Sequence, residues 1–240
     1  MNKWKYYFAC IGVMSAMLLG AYWGSQAVSV LSESLSGKER HCIVIDPGHG
    51  GEDGGASSCT GRLESGYNLE IALRLEDLLH LLGYDTKLIR REDVSVYTTG
   101  QTIAQKKVSD LKNRVKFINE TKNGILLSIH QNYYPDSRYS GVQVFCGNSE
   151  GSEALAKHLQ ASLVAGLNPG SRRQAKQGKG IYLLEHIQCP GALIECGFLS
   201  NPREEALLRD STYQKKLCCV IGSALNRYLS QSKPPAKPEA

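Results

Sequence analysis

Residues 42–51 read CIVIDPGHGG. Cys42 to Ile45 form an unbroken apolar run that stops at Asp46. A short apolar run closed by turn residues reads as a strand buried on both faces, the kind a parallel sheet needs. Pro47-Gly48-His49-Gly50-Gly51 then places one imidazole in a sharply turning loop. Glycines 48, 50, 51, 54 and 55 let that loop bring its backbone close to a ligand. The pattern recurs. ILLSI at 125–129 runs into His130-Gln131-Asn132, and Ala192-Leu193-Ile194 ends on Glu195. In an open α/β sheet the ligand site lies at the carboxyl edge of the strands. Parallel strands would therefore bring His49, His130 and Glu195 to one edge.

Helical spacing lies between these runs. Over 67–82, apolar residues fall at 69, 71, 72, 75, 78, 79 and 82, and Gly83 closes the pattern. Helices are also expected over 110–120, with Ser109 or Asp110 as cap, over 152–167 and over 212–229. Strands are expected at 42–46, 86–89, 125–129, 142–146, 181–184 and 192–195. Strands interleaved with helices predict a single α/β domain. Its centre is a mostly parallel or mixed six-stranded sheet with helices on both faces.

The two ends of the chain differ from this middle. Lys3 and Lys5 precede an uncharged run from Tyr6 to Trp23, and Ser25-Gln26-Ala27 follow. Residues 1–27 read as an export signal or a retained N-terminal membrane anchor. Either places the domain outside the cytoplasmic membrane. Residues 28–40 read as a Ser-rich linker, 41–230 as the catalytic domain and 231–240 as a Pro/Lys-rich flexible tail. Without residues 1–27, 26 basic residues remain against 23 acidic ones, a net charge of +3. That suits an anionic polymer and lacks the concentrated basic stripe of a nucleic-acid binder. The eight cysteines include no CxxC pair, which argues against a cysteine zinc site and against a disulfide framework.

Two imidazoles and a carboxylate are a common catalytic zinc set that leaves a fourth position for water. Glu64, where a loop meets the 67–82 helix, is the expected third ligand beside His49 and His130. Its other reading is a helix-start carboxylate favoured by the dipole. Glu195 is then the unligated general base, passing a proton from water to the leaving nitrogen. His41, His80, His158 and His186 read as structural. Asn68 and Asn132 are candidates for hydrogen bonds to substrate or to groups behind the site. Arg90, Arg91 and Arg114 are candidates for peptide carboxylates, against a reading as structural or solvated cations. The polar loop Gln174–Lys179 is a candidate wall of the groove.

The motifs DPGHGG (46–51), Glu64-Ser65 with Asn68-Leu69, SIHQN (128–132) and IECGFLSN (194–201) appear in that order. Together they resemble the zinc-dependent N-acetylmuramoyl-L-alanine amidases of the amidase-3 family. The resemblance covers about residues 42–229. It implies one Zn2+ on His49, Glu64 and His130, with Glu195 as the catalytic glutamate. It implies peptidoglycan as substrate, cut between the muramic acid lactyl group and L-alanine. DLKNR (110–114) with Phe117-Ile118-Asn119, and GIYLL (180–184), are similar to the germination-specific, spore-cortex subgroup. There the amidase prepares muramic acid for a partner deacetylase that builds δ-lactam, and some members need a lipoprotein activator. The alternative within the family is a vegetative autolysin.

Departures from the family pattern are few. Glu64-Ser65-Gly66 stands where many relatives have Glu-Lys-Asp. Gln131 and Cys196 replace common aliphatic residues and read as packing changes. Two other function classes remain. A glycan hydrolase would use Glu64 and Glu195 as acid and base, leaving both histidines idle. A wall-binding module would rely on aromatic residues such as Tyr133, Tyr134 and Tyr139 and would not need Glu195.

Overall fold

The computed structural model describes Trp4 and residues 41–231, so the rest of the expected signal, the linker and the tail lie outside the described residues. In chain order the elements are β1 (Cys42–Pro47), α1 (Glu64–Leu81), β2 (Asp85–Leu88), α2 (Ile103–Asn119), β3 (Gly124–Asn132), β4 (Gln143–Cys146), α3 (Ser152–Leu167), β5 (Lys176–Gln177), α4 (Tyr182–His186), β6 (Gly191–Phe198), α5 (Pro202–Arg209) and α6 (Ser211–Gln231). No helix among the described residues is long and apolar enough to cross a membrane.

The strands form one mixed sheet in the order β2-β1-β3-β6-β4-β5. β2, β1, β3 and β6 run parallel, and β4 lies antiparallel to β6. Alternate strand residues divide between two cores. Ile43, Ile45, Ile125, Leu127, Ile129 and Ile194 face the larger one, with α1, α3 and α6. Val44, Leu126 and Leu193 face the smaller one, with Ile118 of α2 and Leu183 and Leu184 of α4. This two-sided burial explains why the strands read as continuous apolar runs. On the smaller-core face the same alternation turns polar at the carboxyl ends. Asp46 follows Val44, Ser128 and His130 follow Leu126, and Glu195 follows Leu193.

Local signals account for most boundaries. In α1, Asn68, Ile71, Ala72, Leu75 and Leu79 are buried at helical spacing. Gly83 closes it at φ +81°, with the Tyr84 amide donating to the Leu79 carbonyl at 2.9 Å. The 110–120 helix begins earlier than expected, at Ile103. Thr102 and Gln105 form a capping box there. Ser109 and Asp110 do accept backbone amides, but those of Thr98, Thr99 and Val96 in the preceding loop.

Residues 181–184 are not a strand. Tyr182–His186 is a helical turn that packs Leu183 and Leu184 into the smaller core. A four-residue apolar run carries no period long enough to separate strand from helix. The edge strand is instead the polar pair Lys176–Gln177, inside the expected groove-wall loop. The seven described cysteines are all free.

Leu127 is fully buried on the central strand β3, whereas Leu81 is 83% exposed at the end of α1. Leu127→Ala is expected to lower stability by about 2–5 kcal/mol. Leu81→Ala should stay within about 0.5 kcal/mol of the parent. Urea unfolding of both variants checks the assignment of the core.

Candidate active site

Two buried arginines shape the loop that leaves β1. Arg90 donates to the carbonyls of Pro47 (2.9 Å), Gly48 (2.9 Å) and Ser65 (3.0 Å). Arg114 donates to the carbonyls of Pro47 (3.0 Å) and His49 (2.7 Å) and pairs with Asp46 and Asp110. Asp46 also accepts from Ser128 on β3 at 2.6 Å. Burial alone would raise the Asp46 pKa, but Arg114 and Ser128 together hold it below the ordinary carboxylate value. These bonds hold the loop with His49 at φ +59°, a region that non-glycine residues seldom occupy.

Glycine matters most where the loop meets the site. A Cβ on Gly48 would lie 2.2 Å from the His130 ring. One on Gly55, at φ +69°, would lie 2.6 Å from Glu64 Oε2 and 2.8 Å from His49 Cδ2. The close approach expected of this loop is therefore made against side chains of the site itself.

Glu64 lies at the centre. It opens α1 and is 4% exposed. Its Oε1 accepts from the Gln131 amide (3.1 Å) and Asn68 Nδ2 (3.2 Å) and meets His130 Nδ1 at 3.1 Å. Its Oε2 accepts from the Ala56 amide (3.0 Å) and lies 3.3 Å from His49 Nε2. Burial alone would raise its pKa. The hydrogen bonds and charges of His130 and His49 outweigh that and hold the carboxyl well below the usual range. The His49 and His130 rings stand edge to face, 5.0 Å apart. Each of His49, Glu64 and His130 offers one ligand atom, and the three atoms lie within 4.8 Å of one another. This set could hold a metal ion.

Glu195 sits beside His130 in the β3–β6 register. Its pKa is pushed up to about 7, chiefly by burial, with His130 and His49 opposing and Glu64 assisting. Among the described residues, Gln131 Oε1 and Glu195 Oε2 are buried without a hydrogen-bond partner, and the buried His49 Nδ1 has the Asp53 carboxylate beside it at 3.0 Å. The two unsatisfied atoms belong to this one site, and unsatisfied buried polar atoms are rare enough elsewhere to mark it as functional.

The family described as N-acetylmuramoyl-L-alanine amidase matches residues 43–227. The chain belongs to that family. The germination-specific N-acetylmuramoyl-L-alanine amidase of Bacillus subtilis strain 168 is 40% identical over 204 residues, 84% of each chain. The probable cell wall amidase LytH of Staphylococcus aureus is 33% identical over 78% of this chain, which spans 58% of that longer protein. Among solved structures, the CwlD amidase of Clostridioides difficile, determined in complex with the GerS lipoprotein, superposes with a TM-score of 0.77. It is 36% identical, and the match covers 80% of this chain and 100% of that one. A second N-acetylmuramoyl-L-alanine amidase, from Clostridium difficile 630, gives a TM-score of 0.71 at 29% identity, covering 82% and 100%.

The amidase fold thus brings His49, Glu64, His130 and Glu195 together and treats the other candidates differently. Asn68 is fully buried. It donates to Glu64 and to the Gly48 carbonyl and accepts from Gln131, so it positions the site from behind. Gln131 is therefore more than a packing change. Asn132, at the partly exposed end of β3, accepts from the Leu199 amide through its carbonyl.

Arg114 is a correction. Its side chain is 3% exposed and spent on the β1 loop, so it has nothing to offer a substrate carboxylate. Arg90 is spent in the same way, and Arg91 pairs with the buried Glu76 at 2.6 Å. The sequence reading missed Asp53, whose Oδ2 lies 3.0 Å from His49 Nδ1 and 3.0 Å from Lys107 Nζ. The available signal was a carboxylate four residues after a candidate histidine.

Arg114→Met would leave Asp46 as an unpaired buried charge, and a loss of about 3–5 kcal/mol in urea unfolding is expected. A loss within the range of a surface pair, below about 1 kcal/mol, would contradict this reading. The metal-free protein should also show a pH signature. Burial opposes it, but Asp53 and Glu64 raise the His49 pKa from 6.5 to about 9. Folding then favours the protonated ring. That stability is complete below about 6.5 and lost as the pH rises through about 9. The urea midpoint of chelated protein should fall across this window, and His49→Gln should flatten the fall.

Proposed function

We propose that His49, Glu64 and His130 hold one zinc ion and that Glu195 is the general base of peptidoglycan amide hydrolysis. The observation that carries this reading is the 4.8 Å clustering of two imidazoles and one carboxylate from a loop, a helix start and a strand. That donor set suits zinc and leaves a position open. When bound, the ion supplies Lewis acidity towards the scissile carbonyl and lowers the pKa of water.

The chain's own residues do the rest. Glu195 takes a proton from the attacking water through its unpartnered oxygen. Water oxygen bonds to the carbonyl carbon, the C–N bond breaks, and Glu195 returns the proton to the leaving nitrogen of L-alanine. The products are a muramoyl carboxylate and a peptide with a free amino terminus. Asn68, Gln131 and the Ala56 amide keep Glu64 oriented, and Asp53 does the same for His49. The glycosidase alternative fits poorly. Both Glu64 oxygens are engaged by the Ala56 and Gln131 amides, Asn68 and the two histidines, so Glu64 is not free to act as the second carboxylate beside Glu195.

The likeness to the Bacillus germination-specific amidase supports a role in spore-cortex modification; a deacetylase acting on the product is an expectation from the motif resemblance alone. The Clostridioides relative was solved in complex with a lipoprotein, which supports a lipoprotein partner here. Residues 1–27 support export, by a cleaved signal or a retained anchor.

Purified protein incubated with muropeptides should release peptide, detected by mass, and a chelator should stop the release until zinc is restored. Glu195→Gln should retain about one zinc per chain while turnover falls by roughly 10²–10⁴. Sugar fragments in place of free peptide, or full activity in Glu195→Gln, would contradict the proposal.

A further inference from the structure

The loop after β3 reads YYPDSRYSG over 133–141. It turns three large rings towards solvent, with Tyr133 51%, Tyr134 47% and Tyr139 46% exposed. Grouped exposed aromatics mark contact surfaces. The Tyr134 and Tyr139 rings lie against each other with centres 4.3 Å apart, and Tyr139 lies 6.3 Å from Phe198.

The loop is clamped on four sides. The Tyr134 amide donates to Ser200 Oγ (3.2 Å), and Asn201 Nδ2 donates to the Tyr139 carbonyl (3.2 Å). The Gly141 amide donates to Glu204 Oε1 (2.8 Å), and Arg173 donates to the Ser140 carbonyl (3.1 Å). The other Glu204 oxygen accepts from the Phe198 amide at 2.8 Å, three residues beyond Glu195 on the same strand. The rings are therefore presented on a preorganised loop tied to the strand that bears Glu195. Preorganised tyrosines lose little entropy when they bind.

We propose that Tyr134 and Tyr139 form a stacking subsite for a sugar ring of the glycan strand next to the muramoyl unit being cut. The inference rests on the amidase reading above and names where the polymer lies. The scissile amide hangs from a sugar chain, so that chain must leave the site along one wall. Tyr134 is four residues from His130, at most about 14 Å along the backbone, within the reach of neighbouring sugars. A tyrosine ring offers an apolar face to the C–H face of a pyranose and a hydroxyl to its rim. The loop also carries Ser137, Ser140 and the Asp136–Arg138 pair, groups that bind hydroxyls, and no aliphatic rim of the sort a docked protein would use.

The test uses the full-length, zinc-supplemented protein and two measurements. The first is calorimetric binding of peptide-free glycan strands. Tyr134→Ala and Tyr139→Ala should each weaken it roughly ten-fold, while Tyr134→Phe stays within about two-fold. The second compares peptide release from multi-disaccharide strands with release from a single disaccharide-peptide. The KM for strands should rise with kcat retained, and the loss on the single unit should be at least about five-fold smaller.

Unchanged glycan binding in Tyr134→Ala/Tyr139→Ala would overturn the subsite. So would an equal loss on both substrates, or a halving of solution mass in the double variant, which would show that the rings cover a second copy. If the parent releases no peptide at all, the amidase reading fails, and the binding measurement still reports on the subsite by itself.

Discussion

Three consecutive backbone carbonyls, those of Pro47, Gly48 and His49, are held by the guanidiniums of Arg90 and Arg114. Both arginines are buried, and Asp46 and Asp110 compensate Arg114. This cradle lets a chain emerging from β1 turn back over the sheet edge with His49 in a left-handed conformation. It also sets Gly48 against His130 and Gly55 against Glu64, where no side chain would fit. The local strain is sustained because the fan of hydrogen bonds around it over-determines the loop.

Glu64 carries the second part of the arrangement. Two backbone amides and an asparagine point donors at its oxygens before either histidine is counted. An ionised carboxylate is the only form that satisfies all of them. The same donors that suit Glu64 to a cation disqualify it as an acid. Glu195, beside His130 on the neighbouring strand β6, has the opposite environment, with burial and an unpartnered oxygen. Two glutamates within one site are thus driven to opposite protonation tendencies, one kept ionised for a cation and the other able to exchange a proton.

Much of this was legible from residues alone. The runs at 42–46, 125–129 and 192–195 announced strands because both of their faces are buried, and their ends announced the site because polarity begins there. Residues 181–184 misled because a four-residue apolar run has no period. Ile103–Val108 was overlooked because that stretch of α2 is largely exposed and only its capping box marks the start. Arg114 was misjudged for a deeper reason. Sequence shows that a cation is present but not which carbonyls surround it, and the burial of this one depends on Asp46, 68 residues away. Gln131 shares that limit, since its contact with Asn68 lies outside its own strand, whereas Asp53 pairs with His49 within one loop and its spacing was a local signal.

X-ray absorption at the zinc edge of the purified protein probes the central claim without relying on turnover. The account predicts a first shell of nitrogen and oxygen at about 2.0–2.1 Å with scattering from two imidazole rings, one of them lost in His130→Ala. A sulfur shell near about 2.3 Å, or a protein that emerges from zinc solution with no bound ion, would contradict it.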